Sequence, residues 1–339
     1  MIQPTQITNP NEMAKLAIMT HQRLGWPVEQ YPVDAVSFAA ILDRAGFDPV
    51  AMSSDLRTEL HGLVRWLQSG LPVLRPSLDL ASGLVLTDPS DVRGEEWKFP
   101  FNTFLIHVPH DIWLIEGGKA LTYDQETGEA LEVYSADDTY VTMVMVHTYL
   151  DSYDHSCVEV RAIARSGLGL FSRFILPPLE APIGEWLAKT GTTKVKDSPI
   201  PLAGDEPRII TEIWRLVINL CLFVTGHGKG QSEVRYTTKK ARRRHQERGV
   251  PMSGPEVWVL GKEIKLDKEL IAAAKSRTTG RGWKVRSRWV VRGHFTNQAY
   301  GPRHSLRKRM WIKPHYSGKT AGERISHLYT VGEDDNEEG

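Results

Sequence analysis

The sequence predicts an α+β fold, with N-terminal helices on an antiparallel sheet, then a long buried helix and a basic two-stranded C-terminal unit. Three patterns carry this. Apolar residues recur at helical spacing as far as Ser69, β-branched runs with turn signals begin near residue 84, and one strongly apolar helix starts at Glu206.

Three helices open the chain. Asn11–Leu24 follows an Asn-Pro start and is stopped by Gly25 and Pro27. Asp34 is an N-cap for Ala35–Ala45, whose Val36, Ala39 and Leu42 share a face, with Gly46 as the stop. Asp55–Ser69 sets Leu56, Leu60, Leu63, Val64 and Leu67 on one stripe and ends at Gly70-Leu71-Pro72. Short strands follow at Thr103–Val108 and Ile112–Glu116. Lys119–Tyr123 and Ala130–Tyr134 flank a hairpin loop, and Thr139–Leu150 and Cys157–Ala164 are long β-branched runs. Pro177-Pro178, Pro182 and the polar Thr190–Asp205 read as a connector. The helix from Glu206 to about Val224 has Pro207 in its first turn and Ile209, Ile210, Ile213, Trp214, Leu216, Val217, Leu220 and Cys221 as buried surface. A basic block, Lys229–Arg248, reads as part loop and part helix. Beyond it lie a strand at Glu256–Leu260 and a short helix at Asp267–Lys275.

In the terminal unit, Trp283, Val285, Ser287, Trp289 and Val291 alternate with Lys284, Arg286, Arg288, Val290 and Arg292. That period of two predicts a strand with one apolar and one cationic face. A second strand is expected at Arg307–Lys313, stopped by Pro314, with Gly293–Ser305 as a long polar loop between them.

Charge separates the chain into unlike halves. Residues 1–228 carry 17 basic and 29 acidic side chains, whereas residues 229–339 carry 25 and 12. The whole-chain net of +1 hides this, and such asymmetry points to contact between the basic half and a polyanion. The other reading is that the acidic half docks on the basic half and neutralises it. Between Arg281 and Lys319 there are eleven Lys or Arg and no Asp or Glu, with Trp283, Trp289, Phe295, Tyr300, Trp311 and Tyr316 among them. Cations neutralise phosphates and flat rings stack on bases, so RNA is the expected partner. The expected nucleic-acid contacts are Lys239, Lys240, Arg242, Arg243, Arg244, Arg286, Arg288, Arg303, Arg307, Lys308, Arg309, Trp311 and Lys313.

Several function classes are set aside. Cys157 and Cys221 are the only cysteines, too few for a disulfide framework or a thiolate zinc site, which fits a reducing cytoplasm. Met1–Pro10 lacks the features of a secretion signal, and the longest apolar run, Leu216–Val224, is too short to span a bilayer. Gly226-His227-Gly228-Lys229-Gly230 lacks the spacing and the Ser or Thr of a phosphate loop, and reads as a helix end. His107-Val108-Pro109-His110-Asp111 reads as a strand connection rather than a metal cluster. No cofactor and no metal are expected. Chemistry, if present, would be metal-free RNA cleavage by His294 and His304 as acid and base, with Arg292 stabilising the phosphorane. The alternative is that these histidines bond backbone or stack on bases.

Arg292-Gly293-His294-Phe295, then Gly301, then Trp311-Ile312-Lys313-Pro314 and Gly318 resemble a C-terminal signature of phage- and plasmid-borne proteins related to a type V-A anti-CRISPR. Phe295 stands where that signature has tryptophan. The resemblance implies an inhibitor that engages the nascent N-terminal peptide of the Cas effector nuclease, at the ribosome, and causes loss of its message. The expected organisation is an acidic α+β domain over 1–203 for protein recognition, a nucleic-acid-binding unit over 204–330 and an acidic tail over 331–339. Action in the bacterial cytoplasm, away from any membrane, goes with it. A nucleic-acid-binding regulator without peptide specificity and a metal-independent, toxin-like ribonuclease are the two rivals.

Overall fold

The computed structural model describes residues 9–49, 54–109, 114–115, 119–123, 130–135, 139–150, 155–164, 169–177, 180–192, 206–227, 232–236, 255–279 and 289–317. Its class is mixed α+β. The first three helices are α1 (Pro10–Leu24), α2 (Ala35–Arg44) and α3 (Ser54–Gln68). Asn9 caps α1 by accepting the N–H groups of Asn11 and Glu12, and Gly25, at φ 62°, closes its other end with an N–H bond to His21. Asp34 caps α2 through the Ser37 N–H at 2.6 Å.

The main sheet contains β1 (Pro72–Pro76), β2 (Thr103–His107), β3 (Leu114–Ile115), β6 (Thr139–Leu150), β7 (Ser156–Ala164), β8 (Gly169–Ile175), β9 (Ser232–Tyr236) and β10 (Glu256–Leu260). Their order is β8-β7-β6-β2-β1-β10-β9, with β3 paired to the start of β6. A separate hairpin joins β4 (Lys119–Tyr123) and β5 (Ala130–Ser135). The expected antiparallel arrangement holds from β2 to β8, but β1 runs parallel to both β2 and β10, so the sheet is mixed. Parallel pairing needs long crossovers, and here the connection from β1 to β10 carries most of the chain. Residues on both sides of position 204 therefore share one sheet.

Both faces of the sheet are covered. Val73, Leu105, Met143, Met145 and Ile163 pack against α1 and α3. Their neighbours Leu74, Phe104, Ile106, Val144, Val146, Val158, Val160 and Ala162 face the opposite layer. That layer contains α4 (Leu78–Val85), α5 (Ile183–Thr192), α6 (Glu206–His227) and α7 (Lys268–Thr279). Strands covered on both faces lack alternation, and β1, buried except at Arg75, leaves only the short apolar run Pro72–Leu74 in the sequence pattern.

The long apolar helix is present, and its buried stretch from Ile213 to Phe223 is enclosed on nearly every side. Asn219 sits fully buried in that stretch. Its amide donates to the carbonyls of Leu84 at 2.8 Å and Thr87 at 3.0 Å, at the C-terminal end of α4. The polar break in the apolar run is thus the clamp between the two helices.

The structure adds elements that sequence periodicity missed. Beyond β1, the helix α4 starts at Ser77, which accepts from the Leu80 N–H and donates its hydroxyl to the Gly261 carbonyl. The expected connector contains α5, and β8 precedes it. Within the basic block read as part loop and part helix, Ser232–Tyr236 is the strand β9, and the rest of Lys229–Arg248 lies outside the described residues.

A buried polar chain joins the N-terminal helices to the sheet. The His61 Nε2 lies 2.9 Å from the Pro32 carbonyl, which only accepts, so Nε2 carries the proton and Nδ1 accepts. His147 Nε2, 3.3 Å away, then donates to His61 Nδ1, and the Thr103 hydroxyl donates to His147 Nδ1 at 2.9 Å. Phe38 stacks on His61 and Tyr149 on His147. Burial lowers the His61 pKa to about 4, with the Pro32 bond opposing, Arg65 adding to the fall and Asp34 opposing it.

Candidate nucleic-acid interface

The terminal unit is two small ribbons. β11 (Trp289–Val291) pairs with β14 (His315–Ser317), and β12 (His294–Tyr300) pairs with β13 (Leu306–Ile312). The strand expected at Arg307–Lys313 is present as Leu306–Ile312; of that expected at Trp283–Arg292, residues 283–288 lie outside the described residues and Trp289–Val291 is a strand, and the two do not pair with each other. The region expected to be a loop contains β12, because Phe295 and Ala299 alternate with polar residues and match β13 register for register.

The base of this unit is welded to the first half of the chain. Trp311 is only 9% exposed; its indole N–H donates to the Thr87 hydroxyl at 2.9 Å, and that hydroxyl donates to the Gly83 carbonyl at 2.8 Å. The ring lies edge-on to Phe223. A Cβ on Gly83 would stand 2.9 Å from the indole, so this glycine inside α4 is what admits the ring. Trp311 is therefore a core residue rather than the expected base-stacking surface: burial and a satisfied N–H outweigh its cationic sequence neighbours. Gly293 is packed equally tightly, with an added Cβ only 2.3 Å from Thr87 Oγ1 and 3.0 Å from Pro314. Its carbonyl accepts the Asp88 N–H at 3.0 Å.

Ion pairs between described residues cross from the acidic half to the basic half. Arg292 meets Asp88 at 3.2 Å, and Arg309 meets Glu96 where Arg309 also lies against Gly226 of α6. Burial acts to raise the Asp88 carboxyl, but the Ser90 backbone N–H and hydroxyl, Arg215 and Arg292 together hold it below the usual carboxylate range. So the reading in which the acidic half neutralises the basic half is realised locally, at the base of the hairpin.

The outer part of the hairpin is different. Asn297, Gln298 and every residue from Gly301 to Arg307 are exposed. The turn is Gly301-Pro302-Arg303-His304-Ser305, in which Arg303 (φ 52°) and His304 (φ 56°) both take the left-handed conformation. Arg307 donates to the His304 carbonyl at 2.9 Å, and the Ser305 hydroxyl donates to Pro302 at 2.9 Å. Lys308 lies opposite Gln298 in register, and Lys313, exposed beyond the base, donates to the Lys265 carbonyl at 3.1 Å.

The candidate catalytic residues are not brought together. His294 is exposed beside Ile312 at the hairpin base, and His304 is in the turn at the other end. Six residues of extended chain lie between those rungs, about 20 Å. Arg292 is joined to Asp88 instead. Lys239, Lys240, Arg242, Arg243, Arg244, Arg286 and Arg288 lie outside the described residues. Among the described residues there is no cluster of His, Cys, Asp or Glu suited to a metal ion, and no helix long and apolar enough to cross a membrane. Sequence reading missed Thr87, Asp88, Glu96 and Asn219, which position the unit. Of these only Asn219 left a signal, as the lone amide in an apolar run.

No curated protein sequence matches the chain. The solved structures include one described as the crystal structure of AcrVA2, aligned over 90% of this chain and 93% of that one, with 10% identity and a TM-score of 0.43. Residues 74–316, from β1 to β14, match the family model for AcrVA2-like proteins. That span includes the main sheet, the buried helix and the basic hairpin, and the chain belongs to the anti-CRISPR type V subtype A2 family.

Proposed function

We propose that this anti-CRISPR-family protein inhibits a type V CRISPR system by recognising the Cas effector, as its nascent N-terminal peptide, and by binding RNA so that the effector message is lost. The single observation that supports the RNA part is an exposed, acid-free hairpin carrying Arg303 and Arg307 on a base already neutralised by Asp88 and Glu96. Family membership supports the inhibitory role. The reading is of binding rather than cleavage, because His294 and His304 stand too far apart to serve one phosphate as acid and base.

The test is a pull-down from translating cells with both peptide and RNA sequencing, together with RNA affinity measured over a salt series. Effector peptide and effector message should be enriched together. If about five cations meet phosphates, the log–log salt slope on single strands is roughly −3.5. A slope near zero, or no binding at low salt, removes the RNA part.

A further inference from the structure

We infer that the outer half of the β12–β13 hairpin is a preset arm for single-stranded RNA, with Arg303 and Arg307 as phosphate contacts and Asn297, on the same ribbon face as Arg307, placed to meet bases. This rests on the RNA-binding reading above and locates it.

The division of labour along the hairpin is the first argument. At the base, Phe295 and Trp311 face each other across the strands and pack on the core, and the next rung upward on that face is Asn297 opposite Arg309. Arg309 is committed to Glu96. Beyond that rung the ribbon leaves the protein body for three more residue pairs, about 10 Å, before it turns. The cations of the outer part thus stand away from the acidic surface that neutralises those of the base.

Backbone strain is the second argument. Two adjacent non-glycine residues in the left-handed region are strained backbone. Both are at the tip, and one is Arg303. Such strain persists only where neighbours enforce it. Here Gly301, itself at φ 76°, the rigid Pro302 and the Arg307–His304 bond do so. The same bond uses one Arg307 nitrogen and fixes its guanidinium beside the turn. Arg303 is exposed at the end of the arm, where a bound strand meets it first.

Charge and shape select the ligand. From Trp289 to Ser317 there is no Asp or Glu to repel phosphate. The deep, narrow major groove of A-form RNA does not admit a two-stranded ribbon, whereas an unpaired strand can lie along its side and offer base edges to amides. Phosphate contacts supply affinity, and Asn297 supplies a modest base preference.

The experiment compares the full chain with an Arg303→Gln/Arg307→Gln variant by fluorescence anisotropy on labelled single-stranded RNA, single-stranded DNA and duplex DNA of equal length. Thermal unfolding is recorded for both proteins, and Arg307→Lys is added to separate charge from the hold on His304. Each lost phosphate contact removes about 0.7 from the salt slope on single strands. The double variant should therefore lose about 1.4 from the slope and about tenfold in affinity near physiological salt, with its melting transition retained. Arg307→Lys should keep most of the binding. If the parent binds RNA and the double variant binds as well with the same slope, the arm is not the contact, although the RNA reading survives. If the parent binds no RNA at low salt, both fall. Tighter binding to duplex DNA than to single-stranded RNA would overturn the choice of ligand.

Discussion

Gly293 and Trp311 belong to the stretch that resembles the anti-CRISPR signature, and both are explained by packing on Thr87. Gly293→Ala should be destabilising by about 1–3 kcal/mol, since its Cβ would meet Thr87 Oγ1 at 2.3 Å and two further neighbours close behind. A denaturant midpoint equal to that of the parent would show that the two segments do not meet. Trp311→Ala should cost about 3–5 kcal/mol by cavity formation and also leave the Thr87 hydroxyl without its donor. His294 is the contrast. It is exposed, so His294→Ala should leave the unfolding midpoint unchanged and alter RNA affinity by less than about threefold. A fall of a hundredfold or more in message loss at unchanged affinity would instead identify it as an acid or base.

Among the elements, the joint between α3 and β6 carries the clearest dependence on pH. The folded pKa of His61 is depressed to about 4, against an ordinary value of 6.5, so the unfolded chain takes up the proton first as pH falls. Its contribution to stability is complete above pH 6.5, declines through the window down to about pH 4 and is then lost. That depression corresponds to about 3 kcal/mol. Denaturant midpoints measured from pH 7 to 4 should fall accordingly. His61→Gln, whose amide can still donate to Pro32 and accept from His147, should flatten that slope. An unchanged slope in the variant would place the titration elsewhere.

At the scale of the whole molecule, the charge division does not mark a structural division. β9 and β10 extend the sheet beside β1, α7 packs on α4, and Trp311 fills the space between α4 and α6. A chain ending after Val224 loses all of these together. It should give a weak, non-cooperative thermal transition by circular dichroism, because β1 becomes an open edge and α6 loses apolar cover. A sharp melt from that fragment would mean that the first half folds alone.

By itself the sequence determined the α+β class, the three opening helices, the long strands Thr139–Leu150 and Cys157–Ala164, the buried helix and the basic character of the terminal unit. Each rests on signals local to a few turns or rungs: caps, stop residues, period and charge. Only tertiary structure decided that β1 is a central strand flanked by parallel neighbours, since a strand buried on both faces has no alternation to read. It likewise decided which cations are available. Arg309 and Arg307 differ by one rung on one strand face, yet Arg309 is held by Glu96, 213 positions away in the chain, while Arg307 remains exposed in the arm. Trp311 reads as a surface aromatic among cations until Thr87, Gly83 and Phe223 are folded around it. Pairing over such separations depends on which surfaces the completed core brings together, and no local period records it.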